Sequence, residues 1–523
     1  VSVVATATCL ILAYPTAYLI VAASTRVRMV LIVLVFIPYL TSLLARTYAW
    51  VVILGDRGLI NALLIESGLI TSPLPLIYNR MAVYIGMVHI MLPLMILPLI
   101  SVMQRIDRSL TAAACSMGAR PFAAFWRVFV PLTLPGVRSG GVLVFVLCLG
   151  FYITPQALGG LRDAMLSTFI ADQVASALNV GAIAASAFIL LSIAIAVVSM
   201  FGLDIAGKHA FAGQRNSRSR PPLVIGTATR YLSESFIGYR SRLWKAKLYR
   251  ARGESRWRNA TGVLFVALIM FYLLFPSLVV IIMSFGAGSV LEFPPSSLSL
   301  RWYRSFFDDL SWSGTAWNSV QIGVVVAILS TIAGTLAACG LSRSSPQVRS
   351  SLTMAILAPI TFPVIIVGVA TYLGLAKVGL IGTKTGLILA HSIGSIAFVT
   401  VIVSAALVNI DRRLEQAAMS MRAGPLRTFT RVTLPLIRPA ILGGAVFAFI
   451  HSFDEVVLSS LVGGSIRTLP LRMWESMRNE MDPTIAAVTS LLMVLPVLWL
   501  TALYVTWWKS RPKAQSELPD LRA

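Results

Sequence analysis

Few ionisable side chains lie inside stretches that are otherwise apolar, and four of them stand out: His89, His391, Asp454 and Glu455. A charge at bilayer depth costs at least about 2.5–3.5 kcal/mol on insertion scales, so each residue that persists there is a candidate for a path through the membrane. Asp454 and Glu455 follow a glycine-bearing apolar stretch that includes Gly443 and Gly444, which places them deep in an apolar run. The plainer alternative is pairing with Arg467 or Arg472 at the rim. His89 and His391 occupy almost the same place in two halves of the chain, and either line a path or make the helix-to-helix hydrogen bonds that such residues ordinarily make. An embedded enzyme would need convergent groups of distinct roles, and Asp454–Glu455 is the single cluster of that kind.

Two further patterns carry less. Gly202 to Lys208 has the glycines and lysine of a phosphate-binding loop, yet His209 replaces the Ser or Thr that would ligate magnesium. A helix exit with a snorkelling lysine is the simpler reading. Cys9, Cys115, Cys148 and Cys339 have no metal or redox spacing, which leaves them as small apolar fillers. Neither a metal nor a cofactor is expected.

The elements that must position these residues are apolar and repeated. The chain is 57% hydrophobic and 12% charged, against roughly 45–50% and 25% in an average soluble domain. Apolar runs of about 20 residues, the length that crosses a bilayer, fall at 3–22, 30–54, 82–103, 137–153 and 181–203, then at 262–285, 319–341, 352–375, 386–409, 440–462 and 485–508. The predicted fold class is therefore all-α and polytopic, with about eleven spans in two related domains, 1–204 and 261–510. A basic linker at 205–260 joins them and a tail occupies 511–523. The formal charge of +23 raises nucleic acid as a partner, but the Lys and Arg residues fall in alternate connections, as cytoplasmic loops do. The basic linker is read as lying on anionic lipid headgroups, with no nucleic-acid role. The same alternation makes the first span run inward where the second half begins outward, so an N-terminal span is expected to be missing from the first half.

One segment occurs twice. Asp107 to Pro135 overlays Asp411 to Pro439 without a gap, with 15 of 29 positions identical. Each copy reads as a short helix, a turn, then a second helical stretch ended by prolines. Thr111–Met117 favours helix, Gly118 can take the positive φ that ends it, and Pro121 suits the next first turn. In the second copy Arg422 stands at the place of Gly118, while Gly424 sits two residues later, before Pro425. Both copies carry Phe125 or Phe429 as an aromatic knob and Arg127 or Arg431 on a basic rim. Such a feature fits a groove on another protein.

This duplicated segment resembles the EAA loop of bacterial ABC importer permeases, which seats in a cleft on an ATPase subunit. Ala112, Ala113 and Ala114 with Gly118, and Gln416, Ala417 and Ala418 with Arg422, occupy the motif positions. The motif glutamate is absent from both copies, although Glu415 neighbours Gln416. Pro38–Asn61, Leu74–Leu99 and Thr154–Gly160 are similar to the first permease of spermidine/putrescine-type importers, and Ser299–Phe307, Leu387–Val403 and His451–Gly464 to the second. The resemblance implies two permease subunits fused in one chain of the bacterial inner membrane. It implies two ATP-binding cassette ATPase subunits and a periplasmic solute-binding protein as partners, with alternating access for a small solute, polyamine-like or another small organic molecule. The chain has no ATPase motif of its own and is not expected to be an enzyme. By the same resemblance an acidic pair like Asp454–Glu455 belongs to the path, whereas Phe151 and Gln156 stand where the first half would carry Asp and Glu. An ion-coupled secondary transporter, also built from repeats, is the alternative.

Overall fold

A computed structural model describes residues 1–176, 180–200, 254–289, 293–479 and 482–509. The phosphate-loop-like segment, most of the basic linker and the 511–523 tail lie outside these residues. Among the described residues the chain is helical, with one isolated β-bridge between Gly286 and Leu298.

In the first half, α1 (Ser2–Ala22), α2 (Thr25–Leu40) and α3 (Leu43–Leu54) lead through a short α4 (Leu59–Glu66) to α5 (Arg80–Met103). The loop helix α6 (Arg108–Ser116) and α7 (Pro121–Ala124) follow, then α8 (Val130–Gly150), α9 (Ile153–Leu158), α10 (Leu166–Ser176) and α11 (Val180–Met200). The second half begins with α12 (Glu254–Met283) and α13 (Arg301–Asp308), which have no counterparts among the described residues of the first half. It then repeats the order as α14 (Leu310–Arg343), α15 (Pro346–Thr361), α16 (Val364–Lys377), α17 (Lys384–Val408), α18 (Arg412–Ser420), α19 (Pro425–Thr428), α20 (Leu434–Phe453), α21 (Val457–Val462), α22 (Leu469–Asn479) and α23 (Thr484–Lys509).

Each half is cored by three long helices in mutual contact, α1, α5 and α8 in the first and α14, α17 and α20 in the second. Small residues on α1 allow the close approach: Ala5, Cys9, Ala13 and Ala17 are fully buried. Helix α12 crosses to the first half and packs on α1, α2 and α3, so the halves are interlocked. Among the described residues nine helices are long and apolar enough to cross a membrane. A bent pair and the apolar start of α23 account for the other two expected spans.

Two expected spans, 30–54 and 352–375, are not continuous. The second breaks at Phe362–Pro363, where the axis turns by 106° between α15 and α16. Pro363 offers no N–H, and the residue before a proline is driven to extended backbone, as Phe362 is at ψ 152°. The first breaks at Thr41–Ser42, where the Thr41 hydroxyl donates to the Pro38 carbonyl at 2.7 Å. Each break exposes a helix N-terminus, at Leu43 or Val364, within the bundle. Residues 440–462 break too: α20 stops at Phe453 and α21 starts at Val457. Asp454 and Glu455 thus sit in a gap between helices, which corrects their placement deep within one span.

The prolines also act differently from expectation. Pro131 and Pro435 do not end the second loop helices. The chain runs on through a π-helical turn, Phe125–Phe129 in one copy and Phe429–Thr433 in the other, straight into α8 and α20. The wider turn absorbs the hydrogen bond each proline cannot donate.

Candidate functional site

Both copies of the duplicated segment lie at the same end of the bundle. Asp107 caps α6, its carboxylate accepting from the Ser109 N–H at 2.8 Å, and Asp411 caps α18 by accepting from the Arg413 N–H at 2.9 Å. The Ser109 contact holds the Asp107 carboxyl below the usual carboxylate range. After each helix the chain turns with left-handed backbone at the same position, Gly118 at φ +89° and Arg422 at φ +61°. The shift of the second-copy glycine is not used for this turn: Gly424 is extended and precedes α19, while Arg422 itself takes the strained conformation. Arg422→Gly is therefore expected to stabilise the second loop by about 0.5–1 kcal/mol, read as slower amide exchange across residues 418–426. Unchanged or faster exchange would contradict this.

The side chains divide cleanly. Ala114 and Ala418 are buried, whereas Ala112, Ala113, Gln416, Ala417, Gly118, Arg422, Gly424, Pro121 and Pro425 face out. Three exposed apolar pairs sit in register: Leu110 with Leu414, Met117 with Met421, and Phe122 with Leu426. Met117 is 83% exposed and Met421 78%. Phe125 and Phe429, the knobs expected from the sequence, are instead half-buried. Phe125 packs edge-on against Tyr18 of α1 at 5.4 Å, so it is not the knob. The overlooked signal was in plain view, since Met117 and Met421 are identical in the two copies. Arg127 and Arg431 are exposed, as a basic rim requires.

Glu415 also turns inward. It accepts from the Thr433 hydroxyl and lies 3.7 Å from the Arg343 guanidinium at the end of α14, tying the loop helix to its own half. In the first copy Thr111 holds that position, and a cavity of about 380 Å³ lined by Tyr18, Thr111, Cys115 and Phe129 lies there instead.

Asp454 joins the halves. Its carboxylate accepts from the Ser42 hydroxyl and from the Leu43 N–H at 3.0 Å, so a residue of the second half caps the broken-helix N-terminus of the first. Glu455 caps α21, accepting from the Leu458 N–H at 3.0 Å. Neither pairs with the rim arginines: Arg467 bonds Glu475 at 2.6 Å, and Arg472 lies over the Trp312 ring at 5.3 Å. The repeat register sets Gly150 opposite Asp454 and Phe151 opposite Glu455. A Cβ on Gly150 would come within 2.8 Å of Pro363 Cβ and 3.0 Å of the Val364 nitrogen, so this end of α8 abuts the other broken N-terminus directly. The two junctions are related in place and unlike in chemistry. Gln156 is in neither; its amide reaches Asp172 at 3.3 Å.

The histidines are not an equivalent pair. The repeat register places Met87 against His391. His89 is hydrogen-bonded to the Leu273 carbonyl of α12 at 3.1 Å, and His391 bridges Ser452 and Ser459 at 3.0 and 3.1 Å. Both are fully buried helix-to-helix ties. Arg46, absent from the sequence reading, is also buried, with one guanidinium N–H reaching the Ile90 carbonyl at 3.4 Å.

Two interlocked helical halves, broken within the membrane and bearing matched loops at one end, define a multi-pass transport permease. The sequence comparisons place it more narrowly. Residues 330–510 match the family described as binding-protein-dependent transport system inner membrane component. The putrescine transport system permease protein PotI of Escherichia coli (strain K12) is 33% identical over 278 residues, covering 51% of this chain and 96% of that protein. The spermidine/putrescine transport system permease protein PotB of Haemophilus influenzae is 36% identical over 170 residues. That match covers 32% of this chain and 59% of that protein, so the chain spans about three-fifths of the length of this relative. A solved bacterial ABC transporter involved in alginate import aligns with 50% of the chain at a TM-score of 0.36 and 15% identity. The chain belongs to the binding-protein-dependent transport inner-membrane family. It is a multi-pass protein of the bacterial inner membrane in which two permease-like regions are fused.

Proposed function

We propose that this chain is the whole transmembrane pathway of an ATP-driven importer, with two ATP-binding cassette ATPase subunits seated on its two loops and a periplasmic solute-binding protein docking on the opposite face. The observation that carries the reading is the pair of loops, each capped by an aspartate, turned through positive φ and presenting three exposed apolar side chains at matching positions. A duplicated convex apolar feature fits a pair of identical clefts. On this reading, closure of the ATPases draws Thr111–Pro121 and Glu415–Pro425 together and rocks the halves about their interlocked core. The small solute is polyamine-like, since the named relatives are spermidine/putrescine and putrescine permeases. Asp454 then acts as a strut between the halves beside the pathway, and the histidines hold helices in place.

Vesicles containing the assembled complex test the reading. Uptake should stop with vanadate and be indifferent to proton and sodium ionophores. The reverse pattern would favour an ion-coupled carrier.

A further inference from the structure

Helix α13 lies at the face opposite the loops. Its neighbour α14 runs from Leu310 to Arg343, and Arg343 reaches the second loop through Glu415, so the Leu310 end and α13 before it are at the far side. One side of α13 is fixed to the bundle: Phe306 is buried, and the Tyr303 hydroxyl is hydrogen-bonded to the Ser284 and Ser490 hydroxyls at 2.7 Å each. The other side carries Arg301, Arg304 and Asp308, spaced i, i+3 and i+7 and so set in one row, all three exposed. They form one wall of an open groove of about 810 Å³. Phe285, Leu298 and Leu300 form the other, brought alongside where the Ser299 N–H donates to the Phe285 carbonyl at 2.6 Å. Leu298 is 76% exposed and Leu300 54%. Among the described residues no side-chain hydrogen bond or ion pair holds Arg304 or Asp308, and Arg301 has the Trp302 ring at 4.8 Å. Asp309, by contrast, is used within the fold, where it caps α14 by accepting from the Ser311 N–H at 2.7 Å.

We propose that this groove binds one membrane phospholipid with a zwitterionic, primary-amine head of the phosphoethanolamine kind. Arg301 and Arg304 donate to the phosphate, Asp308 accepts from the ammonium, and an acyl chain runs over Leu298, Leu300 and Phe285. Seven residues of helix span about 10 Å, room for both charges of one head along the row. The order of charges selects the lipid. An anionic head would set its negative charge beside Asp308, and a choline head has no N–H to give that carboxylate. The level is right for a headgroup, because α12 and α14 are both long and apolar enough to cross the membrane and both end beside α13. Trp302 and Trp317 stand at the same level, where aromatic side chains collect at the membrane–water interface. Since α12 interlocks the halves, a lipid held here fixes the end of that interlock. The inference rests on the membrane placement of the chain and is independent of the importer reading.

Native mass spectrometry of the delipidated full chain in detergent tests this, with phosphatidylethanolamine, phosphatidylcholine and phosphatidylglycerol of identical acyl chains as probes. One molecule of the ethanolamine lipid should bind about tenfold more tightly than either of the others. Arg301→Gln combined with Arg304→Gln should weaken that binding about a hundredfold, and Asp308→Asn should abolish the preference over phosphatidylglycerol. All three side chains are exposed, so these variants should melt as the wild type does. Glycerophosphoethanolamine, the same head without tails, should not displace the lipid; displacement at equal concentration would assign a water-soluble ligand and overturn the proposal. Equal binding of the three lipids by the wild type, or an ethanolamine preference that survives in both variants, would also overturn it. So would variants that bind lipid normally but lose capture of a periplasmic binding protein, because the face would then belong to that partner.

Discussion

Replacing Met117 and Met421 together by aspartate is expected to reduce ATP-driven uptake at least about a hundredfold while the protein still inserts and folds. The two methionines are the most exposed apolar side chains of their loops and touch little in this chain, so a polar substitute costs the isolated permease nearly nothing. In a cleft it does harm, because a carboxylate that loses water without gaining a partner is strongly disfavoured, and a buried interface anchor is commonly worth 2 kcal/mol or more. Each single variant should show an intermediate defect, and co-purification of the ATPases should weaken in parallel. Wild-type uptake by the double variant would remove the loops from the transport mechanism.

The second large effect concerns the strut between halves. Asp454→Ala deletes the acceptor for both the Ser42 hydroxyl and the Leu43 N–H, leaving a helix N-terminus uncapped inside the bundle. Loss of a cap costs about 0.5–2 kcal/mol, and an unsatisfied buried donor about 1–3 kcal/mol. The detergent-solubilised Ala variant should therefore unfold several degrees below wild type. Asp454→Asn keeps an acceptor oxygen and should retain most of that stability. If Asn proves as damaging as Ala, the charge matters more than the hydrogen bonds, and the residue belongs to the solute's path.

The contrast between these residues shows what the sequence made legible. The loops could be read because the chain states them twice: Asp107 and Asp411, Met117 and Met421, Pro121 and Pro425 recur in register, and local rules of capping and turns act on each. Span number was readable from apolar length, and the match with the structure is close. Asp454 was visible as an oddity, but its partner is more than 400 residues away in another half, where no local rule reaches. The breaks at Thr41–Ser42 and Phe362–Pro363 hid inside unbroken apolar runs, because hydropathy records what faces lipid and ignores helix direction. Arg422 misled for a different reason. A nearby glycine invited the left-handed turn, yet the register of the repeat decided it, and the arginine carries the strain.

The most direct test is a distance. Spin labels placed at residues 117 and 421 of the full chain, assembled in lipid with the ATPase subunits of the proposed importer, report the separation of the two loops. The account predicts that the separation shortens when ATP binds and lengthens again after hydrolysis, in step with solute uptake. A separation that stays constant while the same vesicles accumulate solute would contradict it.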